Sequence, residues 1–242
     1  MAGTQDKAND AELDALLKEL SARAESSSQK SVRVMAWKLT VKASYAIKRM
    51  IDILGSAIGM ILLSPVYLTI AIAVKLSSPG PIIFSQIRVG RYGRHFTFYK
   101  FRSMRQDAEA LKASLAQQNE SKDGVIFKMK NDPRITKVGR FLRRTSLDEL
   151  PQLWNVFIGD MTLVGPRPPV PKEVQEYTLE DRKRLNVTPG ITCLWQIKGR
   201  SDIPFKDQVR LDKEYIRSSS VWKDIIILLK TIPAIIGGKG AY

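Results

Sequence analysis

The residues best suited to chemistry in this chain are two adjacent carboxylates, Asp148 and Glu149, which closely follow Arg143 and Arg144. A helix that begins here would present backbone N–H groups to an anion, and the arginines would add further donors. Aspartate is already ionised at neutral pH, so Asp148 could attack a phosphorus atom without a general base. The pair therefore indicates a site where a carboxylate meets a phosphoryl group.

A purely structural explanation of the same residues is also open. Ser146 and Glu149 have the spacing of a capping box, and acidic residues favour the first turn of a helix. Under this alternative, the two acids would only stabilise the start of a helix that the sequence predicts over 145–157.

The segment 165–169 places Arg167 among three prolines. Each proline fixes its own φ and restricts the residue before it, so the loop could aim a guanidinium at phosphate oxygens with little loss of entropy. The alternative is an ordinary surface turn.

Further basic residues occur in three clusters: Lys100 with Arg102; Lys128, Lys130, Arg134, Lys137 and Arg140; and Lys198 with Arg200. Charge runs are usually solvated, but these bracket the acidic pair, as a diphosphate and a second phosphate would require.

The composition limits the partners and metals of the protein. Lys plus Arg number 39 against 24 Asp plus Glu, a formal net charge of +15, which implies anionic partners such as nucleic acid, anionic lipid or phosphorylated substrates. His95 and Cys193 are the only residues of their types, so a Cys/His zinc site and an intrachain disulfide are both excluded. Any metal must therefore bind to carboxylates, as Mg²⁺ does.

An apolar run from Ile53 to Val74 contains no charged residue and matches the roughly 20 helical residues that cross a bilayer. Ser64 and Pro65 interrupt it at the midpoint, where proline kinks a helix. Both flanks are basic, with Lys38, Lys42, Lys48 and Arg49 before the run and Lys75, Arg88, Arg91 and Arg94 after it. A helix that enters the membrane and returns to the same face would satisfy both flanks. The alternative is a buried core helix.

The sequence predicts a helix-rich α/β fold with one re-entrant membrane helix and interfacial amphipathic helices. Three regions are expected: a hydrophilic extension over 1–40, with a short amphipathic helix over 11–23 and then a linker; a membrane-inserted helix over 41–78; and a cytoplasmic, membrane-associated catalytic domain over 79–242. Strands are predicted over 82–84 and 95–101, and further helices over 105–118, 179–185, 205–218 and 221–236, the last of them interfacial.

Several motifs in a fixed order resemble the bacterial sugar transferase family, the monotopic polyprenyl-phosphate phosphoglycosyl transferases. They are 48–52, the Ser64–Pro65 break, 99–104, 146–153, 164–168 and 189–192, and the resemblance covers about 45–242. It implies that Asp148 is the nucleophile and Glu149 its partner, the two forming a Mg²⁺ site. It also implies that Ser64 and Pro65 break a re-entrant membrane helix.

The resemblance assigns substrate or phosphate contacts to further residues. Arg143 matches an arginine near the acidic pair, Arg167 the arginine of a phosphate-binding loop, and Arg200 and Asp212 positions near the nucleotide sugar. Lys100 and Arg102 are expected to add positive charge for the phosphates. Cys193 departs from the small residue common at its position, and the ending 238–242 resembles members specific for glucose or galactose.

The implied reaction transfers a sugar-1-phosphate from a UDP-sugar to undecaprenyl phosphate, with release of UMP, through a phosphosugar–Asp intermediate. It would be the first membrane step of exopolysaccharide, capsule or O-antigen synthesis, on the cytoplasmic face of the bacterial inner membrane. Expected partners are membrane lipids, a second copy of the chain or glycosyltransferases of the pathway, and no nucleic acid. Two rivals are a nucleic-acid-binding protein, which has no need of the 53–74 run, and a non-enzymatic envelope scaffold, which has no need of Asp148 and Glu149.

Overall fold

The structure is a computed structural model that describes residues 2–115, 119–120, 127, 129, 131–237 and 240. The chain forms two compact units, Met1–Ile47 and Lys48–Tyr242. The first unit consists of the start of α1, a helix over Ala2–Leu62 whose side chains from 31 to 47 are exposed. The linker predicted after residue 23 is therefore wrong. Residues 4–54 contain neither glycine nor proline, so nothing in their sequence breaks the helix.

The second helix, α2, covers Ser64–Ser77 and meets α1 at a bend of 63°. Pro65 lies in the first turn of α2, where its missing N–H costs no helical hydrogen bond. The Ser64 hydroxyl donates to the Ile61 carbonyl at 2.8 Å and satisfies one acceptor at the bend. The predicted break at Ser64 and Pro65 is thus confirmed as a kink. Among the described helices, none alone has the length and apolarity to cross a membrane, and only this bent pair meets those criteria.

Two small sheets belong to the second unit. Strands β1, Ile83–Val89, and β2, His95–Phe101, pair antiparallel; the expected second strand is confirmed and the first is longer than predicted. Strands β3, Thr162–Val164, and β4, Gly190–Thr192, pair in parallel and were not predicted. A Cβ atom at Gly190 would lie 2.0 Å from the Gly165 nitrogen, so this close backbone approach requires glycine.

Eight further helices are described, five of them before β4 and three after it. They are α3, Ala108–Ser114; α4, Lys137–Arg144; α5, Gln152–Ile158; α6, Pro171–Gln175; α7, Leu179–Arg182; α8, Leu194–Lys198; α9, Phe205–Arg217; and α10, Val221–Gly237. Helices α9 and α10 agree closely with the prediction, and part of the helix predicted over 105–118 lies outside the described residues. The fold is a helix-rich α/β arrangement.

The helix predicted over 145–157 is wrong in one respect that matters for the site. A separate 3-10 turn, Leu147–Glu149, precedes α5, which begins only at Gln152. Ser146 adopts a left-handed conformation with φ 54°, and Pro151 cannot donate a helical hydrogen bond. The acidic pair therefore lies in a tight turn between α4 and α5 rather than at the start of an α-helix.

The last part of α1, from Lys48, belongs to the second unit, where three charged side chains hold it in place. Arg49 donates to the Val156 carbonyl at 2.6 Å and to the Phe157 carbonyl at 2.8 Å, at the C-terminal end of α5. Asp52 accepts from the Thr162 hydroxyl at 2.7 Å and from the Leu163 N–H at 2.9 Å. Lys48 forms an ion pair with Asp224 of α10 and donates to the Val164 carbonyl at 3.0 Å.

Helix α2 supports the acidic turn directly. Its buried Ile70 and Val74 pack in one cluster with Phe101 of β2 and Leu142 of α4. The Tyr67 hydroxyl donates to the Leu150 carbonyl at 2.5 Å, one residue beyond Glu149. The kinked helix, β2 and α4 therefore set the position of the two carboxylates.

Candidate active site

Asp148 and Glu149 line a cavity of about 330 Å³ in the second unit. Asp148 is only 6% exposed, whereas the Glu149 side chain is 22% exposed. Of the residues predicted to bind substrate or phosphate, the cavity brings together Lys100, Arg143, Arg167 and Arg200 around the acidic pair. Four cations thus converge on two carboxylates, an arrangement suited to a substrate that carries several negative charges.

The capping-box explanation of the acidic turn is wrong. Ser146 makes no capping hydrogen bond, and its left-handed backbone directs the chain into the 3-10 turn. Its hydroxyl instead accepts a short hydrogen bond from the Arg200 guanidinium. Arg200 also has a left-handed backbone, with φ 54°, so two unusual conformations are held together beside the carboxylates.

Glu149 and Arg167 are partners across the cavity. The Arg167 Nη1 atom lies 3.5 Å from Glu149 Oε1, and both side chains remain partly exposed. Burial raises the pKa of Glu149, with Arg167 acting against the shift and Asp148 adding to it. A cation or a bound phosphate group could therefore compete for either partner of this loose ion pair.

Lys100 and Arg143 add positive charge near Asp148, whose own charge acts on the pKa of both. Lys100 stands on β2 opposite Phe84, with its Nζ atom 5.2 Å from the centre of that ring. Burial, and then the Arg143 charge, lower the pKa of Lys100 to about 7, while Asp148 opposes the shift. Burial likewise lowers the pKa of Arg143, again against the influence of Asp148.

Arg88 is a cavity residue that the sequence analysis did not assign to the site. It is 7% exposed, donates to the Pro168 carbonyl at 3.0 Å, and lies 5.1 Å from the centre of the Phe98 ring. Burial and the neighbouring Arg167 charge lower the pKa of Arg88 to about 10. Phe84, Gln86 and Arg88 all line the cavity, so the alternation of side chains along β1 was the signal that could have found them.

Asp212 lies behind the cavity and is not among its lining residues. Its carboxylate is 2.5 Å from Arg184, and the two side chains are 1% and 4% exposed. Arg184, which the sequence analysis also missed, does line the cavity and donates to the Tyr177 hydroxyl at 3.1 Å. Burial lowers and Asp212 raises the pKa of Arg184, and the net shift is upward.

Other predicted cations lie apart from the acidic pair. Arg102 is buried and donates to the carbonyls of Val74, Ser78 and Pro81, so it fixes the end of α2. Arg134 lines the cavity but is paired with Asp132 at 2.7 Å. Of the same basic stretch, Lys128 and Lys130 lie outside the described residues, while Lys137, Arg140 and Lys198 do not line this cavity.

The donor atoms fit a hard divalent cation better than a zinc ion. Within the described parts of the chain, no group of three or more His, Cys, Asp or Glu side chains could hold a metal ion. Asp148 and Glu149 offer carboxylate oxygens at the cavity, and Mg²⁺ commonly binds through one or two carboxylates together with substrate phosphates. The residues present are therefore compatible with a magnesium ion that a diphosphate substrate helps to hold.

Sequence comparison identifies the class of protein to which this site belongs. The model of the bacterial sugar transferase family matches residues 43–238, and the chain belongs to that family. The chain is 49% identical to the galactosyl transferase CpsE of Streptococcus agalactiae over 195 residues, which are 80% of this chain and 43% of that protein.

Two further relatives show how much of a longer protein is matched. The undecaprenyl-phosphate galactose phosphotransferase of Salmonella typhimurium is 44% identical over 84% of this chain, which spans 43% of that relative. The exopolysaccharide production protein ExoY of Rhizobium meliloti is 38% identical over 81% of this chain and 88% of its own length. The chain thus spans less than half of the first two relatives and most of the third.

Proposed function

We propose that this protein transfers a sugar-1-phosphate from a UDP-sugar to undecaprenyl phosphate, giving a lipid diphosphate sugar and UMP. The observation that carries the proposal is the cavity itself, in which Asp148 and Glu149 are surrounded by cations suited to phosphate groups. Family membership and the names of the relatives, which include an undecaprenyl-phosphate galactose phosphotransferase and an exopolysaccharide production protein, support the same reaction.

In the proposed first step, Arg167, Arg88 and Lys100 hold the diphosphate of the nucleotide sugar. An Asp148 carboxylate oxygen attacks the phosphorus that bears the sugar, and the bond to the bridging oxygen breaks. That oxygen leaves with the electron pair on UMP. The product on the enzyme is an acyl phosphate ester between Asp148 and the sugar phosphate.

In the second step, an oxygen of the polyprenyl phosphate attacks the same phosphorus and releases the Asp148 carboxylate. Neither nucleophile requires a general base, because a carboxylate and a phosphate are both ionised at neutral pH. Arg143 and Arg200, which line the same cavity, would balance the charge that moves between the phosphates and the carboxylate.

A magnesium ion, when bound, would neutralise phosphate charge at this site. Glu149, with Asp148, would hold it, and Arg167 would contact the phosphate. Burial raises the pKa of Glu149, and a neighbouring cation would favour the ionised form of this carboxyl group.

The proposal includes a membrane location on the cytoplasmic side of the bacterial inner membrane. The bend between α1 and α2 and the apolar run 53–74 support a re-entrant helix, with 1–40 as an extension, 41–78 as the inserted part and 79–242 as the catalytic domain. Cysteines at Ser31 and Ser219, each in a Cys193→Ser background, should then react equally with an impermeant reagent in inverted vesicles. Labelling from opposite sides would contradict the re-entrant arrangement.

The reaction is tested by incubating the detergent-solubilised chain with UDP-glucose or UDP-galactose in the absence of lipid. The expected result is release of about one UMP per active site and the added mass of a sugar phosphate on the peptide that contains Asp148. Polyprenyl phosphate should then restore multiple turnover. Normal turnover with lipid, but no UMP and no modified enzyme without it, would contradict the covalent step and leave direct transfer.

A further inference from the structure

We divide the lining of the cavity into two parts by charge. The first part is Asp148 and Glu149 with five cations, Arg88, Lys100, Arg143, Arg167 and Arg200, which outnumber the two carboxylates. The second part is Tyr177, Arg184, Trp195 and Gln208, in which the basic side chain, Arg184, is paired with the buried Asp212 carboxylate at 2.5 Å. The first part suits phosphate, whereas the second part offers little net charge to an anion.

The second part nevertheless contains hydrogen-bond donors that have no protein acceptor. The Nε atom of Arg184 and the Nε1 atom of Trp195 are buried and without a partner among the described residues. Arg184 is 4% exposed and Trp195 is 5% exposed, so water reaches neither side chain freely. A buried donor without an acceptor is unfavourable, and a ligand that supplies the acceptor removes this penalty.

The orientation of Arg184 is fixed before any ligand arrives. Asp212 holds one side of its guanidinium, the Tyr177 hydroxyl accepts from its Nη1 atom at 3.1 Å, and the Tyr177 and Phe205 rings lie 5.8 and 5.9 Å from its central carbon. A donor held in this way loses little entropy on binding. Because its charge is compensated and Trp195 is neutral, the two donors suit carbonyl or hydroxyl oxygens better than phosphate.

We propose that Trp195 and Arg184 form a subsite for the uncharged, oxygen-rich end of the nucleotide sugar. The shared chemistry is a carbonyl or hydroxyl acceptor, which either the nucleoside or the sugar ring can present. This inference rests on the proposed function, because it places a nucleotide sugar in the cavity. It makes Trp195 and Arg184 binding residues, with Asp212 as a positioning residue that acts through Arg184.

The test uses Trp195→Phe, which keeps an aromatic ring in the core and removes its N–H donor. To prevent consumption of the donor substrate, binding is measured by calorimetry in an Asp148→Asn background, with UMP and with intact UDP-glucose and UDP-galactose. The matched control is Tyr215→Phe, which removes a buried polar atom from the same hydrophobic cluster but does not line the cavity. The melting temperature is recorded for every variant.

The expected result is at least a roughly fivefold weaker binding of UDP-sugar by the Trp195→Phe variant, as loss of one buried hydrogen bond predicts, and no such change in the Tyr215→Phe control. Weaker binding of UMP as well would assign the subsite to the nucleoside. Unchanged UMP binding with weaker UDP-sugar binding would assign it to the sugar.

Affinities within twofold of the Asp148→Asn parent for all three ligands would overturn the subsite, whether or not the melting temperature falls. UMP release by the unsubstituted protein is assayed separately and tests the proposed function. Failure of the subsite would leave the affinities unchanged, whereas failure of the proposed function would leave no UMP release, so the two results are distinguishable.

Discussion

Two regions of the second unit carry buried or half-buried charges, and they use them differently. At the end of α1, Lys48, Arg49 and Asp52 each have protein partners: a carboxylate, backbone carbonyls, a hydroxyl and a backbone N–H. In the cavity, Arg88 donates to one carbonyl but keeps an unpaired Nε atom, and the Lys100 Nζ atom lies 5.2 Å from the centre of the Phe84 ring.

The difference shows that pairing, rather than the number of charges, separates a structural cluster from a binding site. A charge whose hydrogen bonds are satisfied within the protein contributes to the fold and has little to offer a ligand. A buried cation without a matching carboxylate has a perturbed pKa and is available to an anion. Lys48, Arg49 and Asp52 therefore hold the end of α1 in place, whereas the cations around Asp148 are available to bind phosphate.

The largest expected effect is the loss of chemistry when Asp148 changes to Asn. The amide keeps the shape of the side chain but cannot act as the nucleophile, so UMP release should fall below detection with and without lipid. Asp52→Asn is the matched change at the end of α1, and this variant should release UMP at a nearly normal rate per folded molecule. Equal loss of activity in both variants would contradict the distinction between the two regions.

Removal of divalent cations should also eliminate turnover, while the contacts of Lys48, Arg49 and Asp52 at the end of α1 remain intact. Treatment with EDTA is expected to stop UMP release, and magnesium or manganese should restore it. The melting temperature of the protein should change little, because Lys48, Arg49 and Asp52 contact only protein groups and need no metal. Undiminished turnover in a metal-free preparation would rule out Glu149 as a metal ligand.

Asp52→Ala should lower the free energy of unfolding by about 2–3 kcal/mol, since it leaves buried donors of Thr162 and Leu163 without their acceptor. The control is Asp181→Ala, in which an exposed capping carboxylate is lost and about 1 kcal/mol is expected. Denaturant unfolding in detergent measures both. A smaller loss of unfolding free energy at Asp52 than at Asp181 would show that the Asp52 contacts contribute less to stability than their geometry indicates.

The smallest effect concerns the protonation of Lys100, whose pKa is lowered to about 7. As the pH rises through this value, Lys100 loses the charge that would bind the diphosphate, so kcat/KM for UDP-sugar should fall about tenfold. Lys100→Arg should move this limb of the profile to higher pH. An unchanged profile in Lys100→Arg would assign the titration to another group.

The same shift has a defined sign for stability. The ordinary pKa of lysine, 10.5, lies above the folded value of about 7, so the unfolded chain binds more protons between these two values. The contribution of Lys100 to stability should therefore increase as the pH rises from about 7 toward 10.5. Lys100→Met should remove that part of the pH dependence in thermal unfolding.

Local sequence predicted the elements whose causes are local. The break at Ser64 and Pro65 follows from the covalent geometry of proline, and α9 and α10 follow from their helical periodicity. The start of the helix predicted over 145–157 was wrong, because capping-box spacing was also compatible with the 3-10 turn that forms before α5. There, the left-handed Ser146 is held by Arg200, a residue far away in the chain.

The amino-acid sequence by itself determined the acidic pair, the apolar run with its kink, the basic composition and the exclusion of a Cys/His metal site. Only the tertiary structure decided which cations meet Asp148: it brought in Arg88 and Arg184, and it used Arg102 to hold the end of α2. The physical reason is that the sequence gives the type of a charged residue but not whether its side chain has a partner in the folded protein. Its partners lie on distant segments, and folding alone settles which hydrogen bonds are satisfied and which remain for a ligand.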